Sequence, residues 1–331
     1  MRLSLIEIDM GADPRFMENT VNTPMTISYI KSRKKLFVVL IVVILGLGGV
    51  GYWYVGIYWP AQYAKAVLTL ETELQSYGAQ SAQPQFRWRY DYDATMDTLT
   101  QHELFFTQFN KKIEDLSPPL FNQDMQNLQE NLLFFGKTFL GGVDNARKRI
   151  DFTKNAIGLL RIYSPDSPTL SETQPPETRS AYLPEPRPQP YDLGTAIDDL
   201  KEQLTRGKLY ADKMFNQEPL DLGGDTFTEL KSLWEEMNRT ADTVFPVAEQ
   251  KFGRSYPLSS LPPPQELEKT IPGAASLDKF DKFETKLEGV VIRGGAEEIF
   301  RYSIYPQSPE LESRSQSMSE SLRKLKEQYG K

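Results

Sequence analysis

The chain holds one histidine and no cysteine, so the side chains behind most nucleophilic and metal chemistry are nearly absent. His102 lies between Leu99 and Phe106, on residues spaced to share one apolar helix face. Histidine is the usual general base, yet on such a stripe it reads as a core-edge ring with one hydrogen bond. Without a second histidine or any thiolate, the common zinc sites are excluded. A carboxylate cage for a harder ion is the remaining metal chemistry. Asp91 and Asp93 do not extend into a calcium loop, which needs acids or amides at three alternate positions and a distal Glu.

Three Ser-x-x-Lys matches occur, at Ser28–Lys31, Ser276–Lys279 and Ser321–Lys324. The companion Ser-Asp-Asn and Lys-Thr-Gly elements of penicillin-binding enzymes are missing, so the matches read as coincidence. No nucleophile elbow, Walker loop or dinucleotide glycine pattern appears. The acid pairs Asp198-Asp199, Glu235-Glu236 and Glu297-Glu298 have the residue type a glycosidase needs. Adjacent helix residues point about 100° apart, however, so each pair reads as a solvated face. The expectation is a protein with no catalytic residue, no cofactor and no metal. It is not an enzyme on this reading.

One stretch has the composition of a recognition surface. In Phe86-Arg-Trp-Arg-Tyr-Asp-Tyr-Asp93, rings alternate with charges at period two, the strand pattern. Arg87, Trp88, Arg89, Tyr90 and Tyr92 form the candidate interaction surface, since guanidinium groups and aromatic faces attract and are common at interfaces. The alternative is that these rings cap the end of a helical core.

The elements that would position this surface begin with a membrane segment. From Leu36 to Trp59 no residue is charged, and Pro60 follows. The run is about 24 residues, or roughly 36 Å as helix, enough to cross a hydrocarbon core of about 30 Å. Lys31, Arg33, Lys34 and Lys35 precede it, whereas the first base after it is Lys65. That asymmetry places residues 1–35 in the cytoplasm and residues 60–331 outside. Tyr52, Trp53, Tyr54, Tyr58 and Trp59 cluster at the outer end, where amphipathic rings favour headgroup level. A cleaved signal peptide fits less well, because the run exceeds a signal core and its exit is aromatic. The glycines of the span lack the four-residue spacing of a close-packing helix dimer. The tail is too small for a core of its own, and Met10, Met17 and Met25 offer later starts.

Beyond Pro60, apolar residues recur at intervals of three and four. Stripes run from Tyr63 to Tyr77, stopped by Gly78; from Leu99 to Leu116; and from Met125 to Leu160, with a kink expected at Gly141-Gly142. Others cover Leu193–Met214, Phe227–Phe252, Leu277–Leu287 and Leu311–Tyr329. Thr226 with Glu229 has the form of a capping box. Gly289–Ile292 and Arg301–Tyr305 suit either a hairpin or short helices. Residues 164–190 carry eight prolines and read as an extended surface connection, and 253–275 as a second Pro-rich connection.

The predicted fold is therefore mainly α: a single transmembrane helix, then an extracytoplasmic antiparallel helical bundle with Pro-rich connections. A net charge of -7 argues against a nucleic-acid partner. An exterior unit without disulfides fits a bacterial envelope. The partners expected are the lipid bilayer, through residues 36–59, and other envelope proteins. The function expected is a membrane-tethered envelope scaffold or interaction module. A ligand-sensing bundle with a small molecule between helices is second, and an envelope hydrolase using carboxylates third.

Overall fold

The computed structural model describes residues 26–80, 86–179, 192–304 and 308–330. The tail before Thr26, with its alternative starts, and the prolines at 184, 186, 188 and 190 lie outside the described residues. The chain is mainly helical, and no strand occurs among the described residues. It divides into two units, Met1–Pro60 and Ala61–Lys331.

The first unit holds α1, Thr26–Trp53, and a π-helical turn, Tyr54–Tyr58. Large apolar side chains stand exposed along it, from Phe37 to Tyr58. One helix, Phe37–Ala79, is long and apolar enough to cross a membrane. Two expectations change here. Helix begins ten residues before Leu36, and Pro60 does not end it, since α2 runs Trp59–Gln80. Proline has no N–H and its ring crowds the carbonyl four residues back. The π turn relieves that clash: the Trp59 N–H donates to Tyr54 O, five residues back, so the ladder has already shifted register where Pro60 enters. Gly78 is likewise passed without a stop.

In the second unit α3 spans Tyr92–Glu114, α4 Gln123–Tyr163, α5 Pro168–Glu172 and α6 Pro176–Arg179. Then come α7 Leu193–Phe215, α8 Thr226–Phe252, α9 Pro264–Leu267, α10 Asp278–Arg293, α11 Ala296–Ile304 and α12 Pro309–Tyr329. Short polar side chains start several of them. Asp91, Asn122, Asp192 and Ser308 accept from the amides of Ala94, Met125, Thr195 and Leu311 respectively. The expected capping box at α8 is absent: Asp225 is its N-cap residue, Thr226 Oγ1 donates to Gly223 O, and the Glu229 carboxylate pairs with Lys286.

The long helix α4 is the hub, with α3, α5, α7, α10, α11 and α12 all packed on it. Its predicted stripe is buried at Leu128, Leu132, Ala146, Ile150 and Leu160, but so are Phe152, Leu159 and Ile162, which lie off that stripe. It passes Gly141-Gly142 without a break. Two other glycines let neighbours close in: a Cβ on Gly136 would sit 1.9 Å from Asn110 Oδ1 on α3, and one on Gly158 would sit 2.3 Å from the Tyr210 ring on α7.

The first Pro-rich stretch also departs from expectation. The described part of the first, 164–179, is docked and carries α5 and α6. Leu170 is fully buried, and Ser167 Oγ and Thr169 Oγ1 donate to Glu288 on α10 at 2.5 and 2.8 Å. One carboxylate thus accepts from two hydroxyls, charge-assisted bonds that offset the cost of ordering a loop. The second, 253–275, buries Leu267, Ile271 and Ala274. Both Gly289–Ile292 and the described part of 301–305 are helical, in α10 and α11.

Candidate functional site

Residues 86–91 lead into α3 as bends and a turn, not as the strand that period two suggests. Among the described residues there is no strand to pair with, and local bonds take over: Asp91 N–H donates to Trp88 O and Tyr92 N–H to Tyr90 O. The alternation still sorts the side chains. Tyr90 and Tyr92 are buried, and their hydroxyls donate to Val291 O at 3.1 Å and Gly294 O at 2.7 Å. Burial pushes both phenols above their ordinary pKa. Arg89, more exposed, reaches the same turn, donating to Ile292 O and pairing with Glu172 of α5 and Glu298 of α11. The Ala296 amide closes the knot by donating to Arg89 O at 2.7 Å. These residues lock the turn between α10 and α11.

Asp91 is buried beneath this turn. Burial by itself would raise its carboxyl, but hydrogen bonds from Arg87 and from the Arg87 and Ala94 amides outweigh that and hold it below the usual range. Arg87, paired with it at 3.0 Å, is otherwise exposed.

Above the buried rings lies a cleft of about 310 Å³, lined by Arg87, Trp88, Tyr90, Asp91, Tyr92, Asp93, Lys154, Pro175 and Glu177. Lys154 Nζ stands 5.6 Å from the centroid of the Tyr92 ring. The docked Pro-rich stretch supplies Pro175 and Glu177, so the wall opposite the aromatic segment comes from a part of the chain that spacing alone assigned to solvent. Of the five expected surface residues, Arg87, Trp88, Tyr90 and Tyr92 line the cleft, while Arg89 is taken up in ion pairs behind it. Lys154, Pro175 and Glu177 carry no sequence signal that groups them with residue 88. The arrangement offers aromatic faces, a proline wall and charges of both signs. It suits binding a polar, partly apolar segment.

The remaining sequence candidates lie elsewhere. His102 is buried, with Nδ1 2.8 Å from the Tyr77 hydroxyl and its ring against Phe106 and Phe300. Burial lowers its pKa. Ser276 bonds Thr240 at 2.6 Å while Lys279 pairs with Glu236, and Lys324 pairs with Glu320, so neither of these two Ser-x-x-Lys matches has its lysine turned to its serine; the side chains of the match at Ser28–Lys31 lie outside the described residues. From the acid pairs, Asp198 binds Arg254, Glu297 binds Arg301 and Glu298 binds Arg89. Among the described residues no group of three or more His, Asp or Glu is placed to hold a metal ion.

A second cavity, of about 150 Å³ and wholly apolar, lies between α7 and α8 and is closed by residues 258–277. Compared with known proteins, the chain matches no family model, no curated protein and no solved structure.

Proposed function

We propose that this chain is a single-pass membrane protein of the cell envelope, with a cytoplasmic amino terminus and an extracytoplasmic antiparallel bundle that acts as a scaffold for other envelope proteins. The carrying observation is the exposed apolar row from Phe37 to Tyr58, which is costly in water and satisfied in lipid. The basic residues at 31–35 support the orientation. Residue pairings support the bundle: Asn110 meets Gly136 while Glu103 meets Arg147, and Glu229 meets Lys286 while Glu236 meets Lys279, so sequence numbers rise on one helix as they fall on its partner.

The cleft beside Trp88 is the docking site in this reading, taking a partner segment that offers a ring or proline to the aromatic floor and charges to Asp93, Glu177 and Lys154. A photo-crosslinking residue placed at Trp88 in native membranes should give one discrete protein adduct. Asp93→Lys with Glu177→Lys should abolish that adduct without loss of folded protein. Adducts to lipid alone, or an adduct indifferent to the charge reversals, would refute the cleft as the docking site.

The apolar cavity favours a second reading, a sensor of a small molecule held between helices. Apolar cavities of this size stay dry and accept benzene-sized ligands. A ligand-dependent rise in thermal stability, abolished by Ala248→Phe, would promote it. No rise with any apolar probe would dismiss it.

A further inference from the structure

The turn between α3 and α4 exposes two large apolar side chains at its tip. Leu120 is 68% and Phe121 90% exposed, the one adjacent pair of exposed large apolar residues among the described residues of the second unit. They are the two central residues of a β-turn, closed by the Asn122 N–H donating to Pro119 O at 3.1 Å. Ordering two such groups outward against water has no folding benefit, so a partner is the physical explanation.

Part of the backbone around the tip is already satisfied within the chain. Pro118 and Pro119 carry no N–H. Gln126 Nε2 donates to Pro119 O and Leu120 O at 3.3 and 3.0 Å, and Gln129 Nε2 to Ile113 O and Leu116 O at 2.7 and 2.9 Å. Carbonyls that water would otherwise satisfy are thus satisfied from within, which lowers the cost of moving the turn into lipid.

Location names the occupant. Tyr63 Oη donates to Met125 O at 3.0 Å, which puts the first turn of α4 beside Tyr63. Tyr63 is the third residue of the second unit, so it stands where the chain enters that unit. Phe121 precedes Met125 by four residues, so the tip stands at the tethered end of its unit. Charge does not select a headgroup: Lys112 is paired with Glu73 and Glu114 with Lys137, and the remaining charges flanking the turn in sequence, Lys111, Asp115 and Asp124, are of both signs.

We infer that Leu120 and Phe121 insert into the interfacial region of the bilayer that the apolar helix spans, as a second, hydrophobic membrane contact. The inference rests on the span proposed above. The absence of cysteine allows single spin labels in the full chain, reconstituted in phosphatidylcholine nanodiscs. Labels go at Leu120→Cys, at Leu47→Cys within the span, and at Leu209→Cys on α7 as an aqueous reference. Oxygen accessibility relative to a water-soluble nickel chelate should be several-fold higher at 120 than at 209, and higher still at 47. Adding Phe121→Asp should return the label at 120 to the aqueous value. Adding phosphatidylglycerol should not strengthen the effect. An aqueous value at 120 with a lipid value at 47 would overturn the insertion and leave the span standing. Shielding of 120 from both reagents would mean a protein covers the tip, again overturning it. An aqueous value at 47 would refute the span, and the insertion with it.

Discussion

Replacing Gly136 with alanine should destabilise the protein, although alanine is the better helix former. A Cβ there would lie 1.9 Å from Asn110 Oδ1 and 2.8 Å from Asn110 Cγ, inside van der Waals contact. Asn110 is buried, so swinging its amide away would displace neighbouring core atoms. Overpacking of this kind costs about 1–3 kcal/mol, against a propensity gain of about 1 kcal/mol. The net expectation is a loss of about 1 kcal/mol for Gly136→Ala. With Asn110→Ala the obstruction disappears, and Gly136→Ala should then stabilise by up to about 1 kcal/mol. The sign reversal is the signature, a coupling of about 2 kcal/mol in a double-mutant cycle. Urea unfolding of the full chain in mild detergent, followed by circular dichroism, measures all four variants. Stabilisation by Gly136→Ala in the parent chain, or additivity of the two changes, would refute the close approach of α3 and α4 at this point.

Burial lowers the His102 pKa, so the folded state holds the ring neutral while the unfolded chain still binds a proton near pH 6.5. Stability is then complete above that pH and declines as pH falls below it, by at most about 1.4 kcal/mol per pH unit. His102→Phe should flatten this part of the pH–stability profile, as thermal unfolding across the range would report. Tyr92→Phe removes the bond to Gly294 O in a buried setting and should cost about 1–2 kcal/mol by denaturant unfolding, with little change in helix content. Glu288→Ala should free the turn held through Ser167 and Thr169, and time-resolved limited proteolysis should then cut within 164–179 earlier than in the parent.

The helical stripes were legible in the sequence because each has one face to bury, and spacing records that face directly. What spacing could not record was the role of α4 as hub. Phe152, Leu159 and Ile162 are buried on its other faces, and burial all round blurs a stripe. Pro60 misled because a proline's local rule is to stop a helix, whereas a π turn just before it lets the helix continue. The ring-and-charge stretch at 86–93 was legible as unusual but not as a turn, since its partners, the carbonyls of Val291, Ile292 and Gly294, lie about two hundred residues away. Likewise the docking of Ser167 and Thr169 depends on Glu288, a contact that no local pattern encodes. Half of the cleft was therefore visible in advance, as Arg87, Trp88, Tyr90 and Tyr92. The other wall came from tertiary pairing.

The proposed topology has the apolar helix across a membrane and the helical unit outside. A membrane-impermeant maleimide applied to intact spheroplasts tests it most directly, with single cysteines at Ser4 in the tail and at exposed Leu209 on α7. Leu209→Cys should label at once and Ser4→Cys only after lysis. Labelling at Ser4 with protection at Leu209 would contradict it.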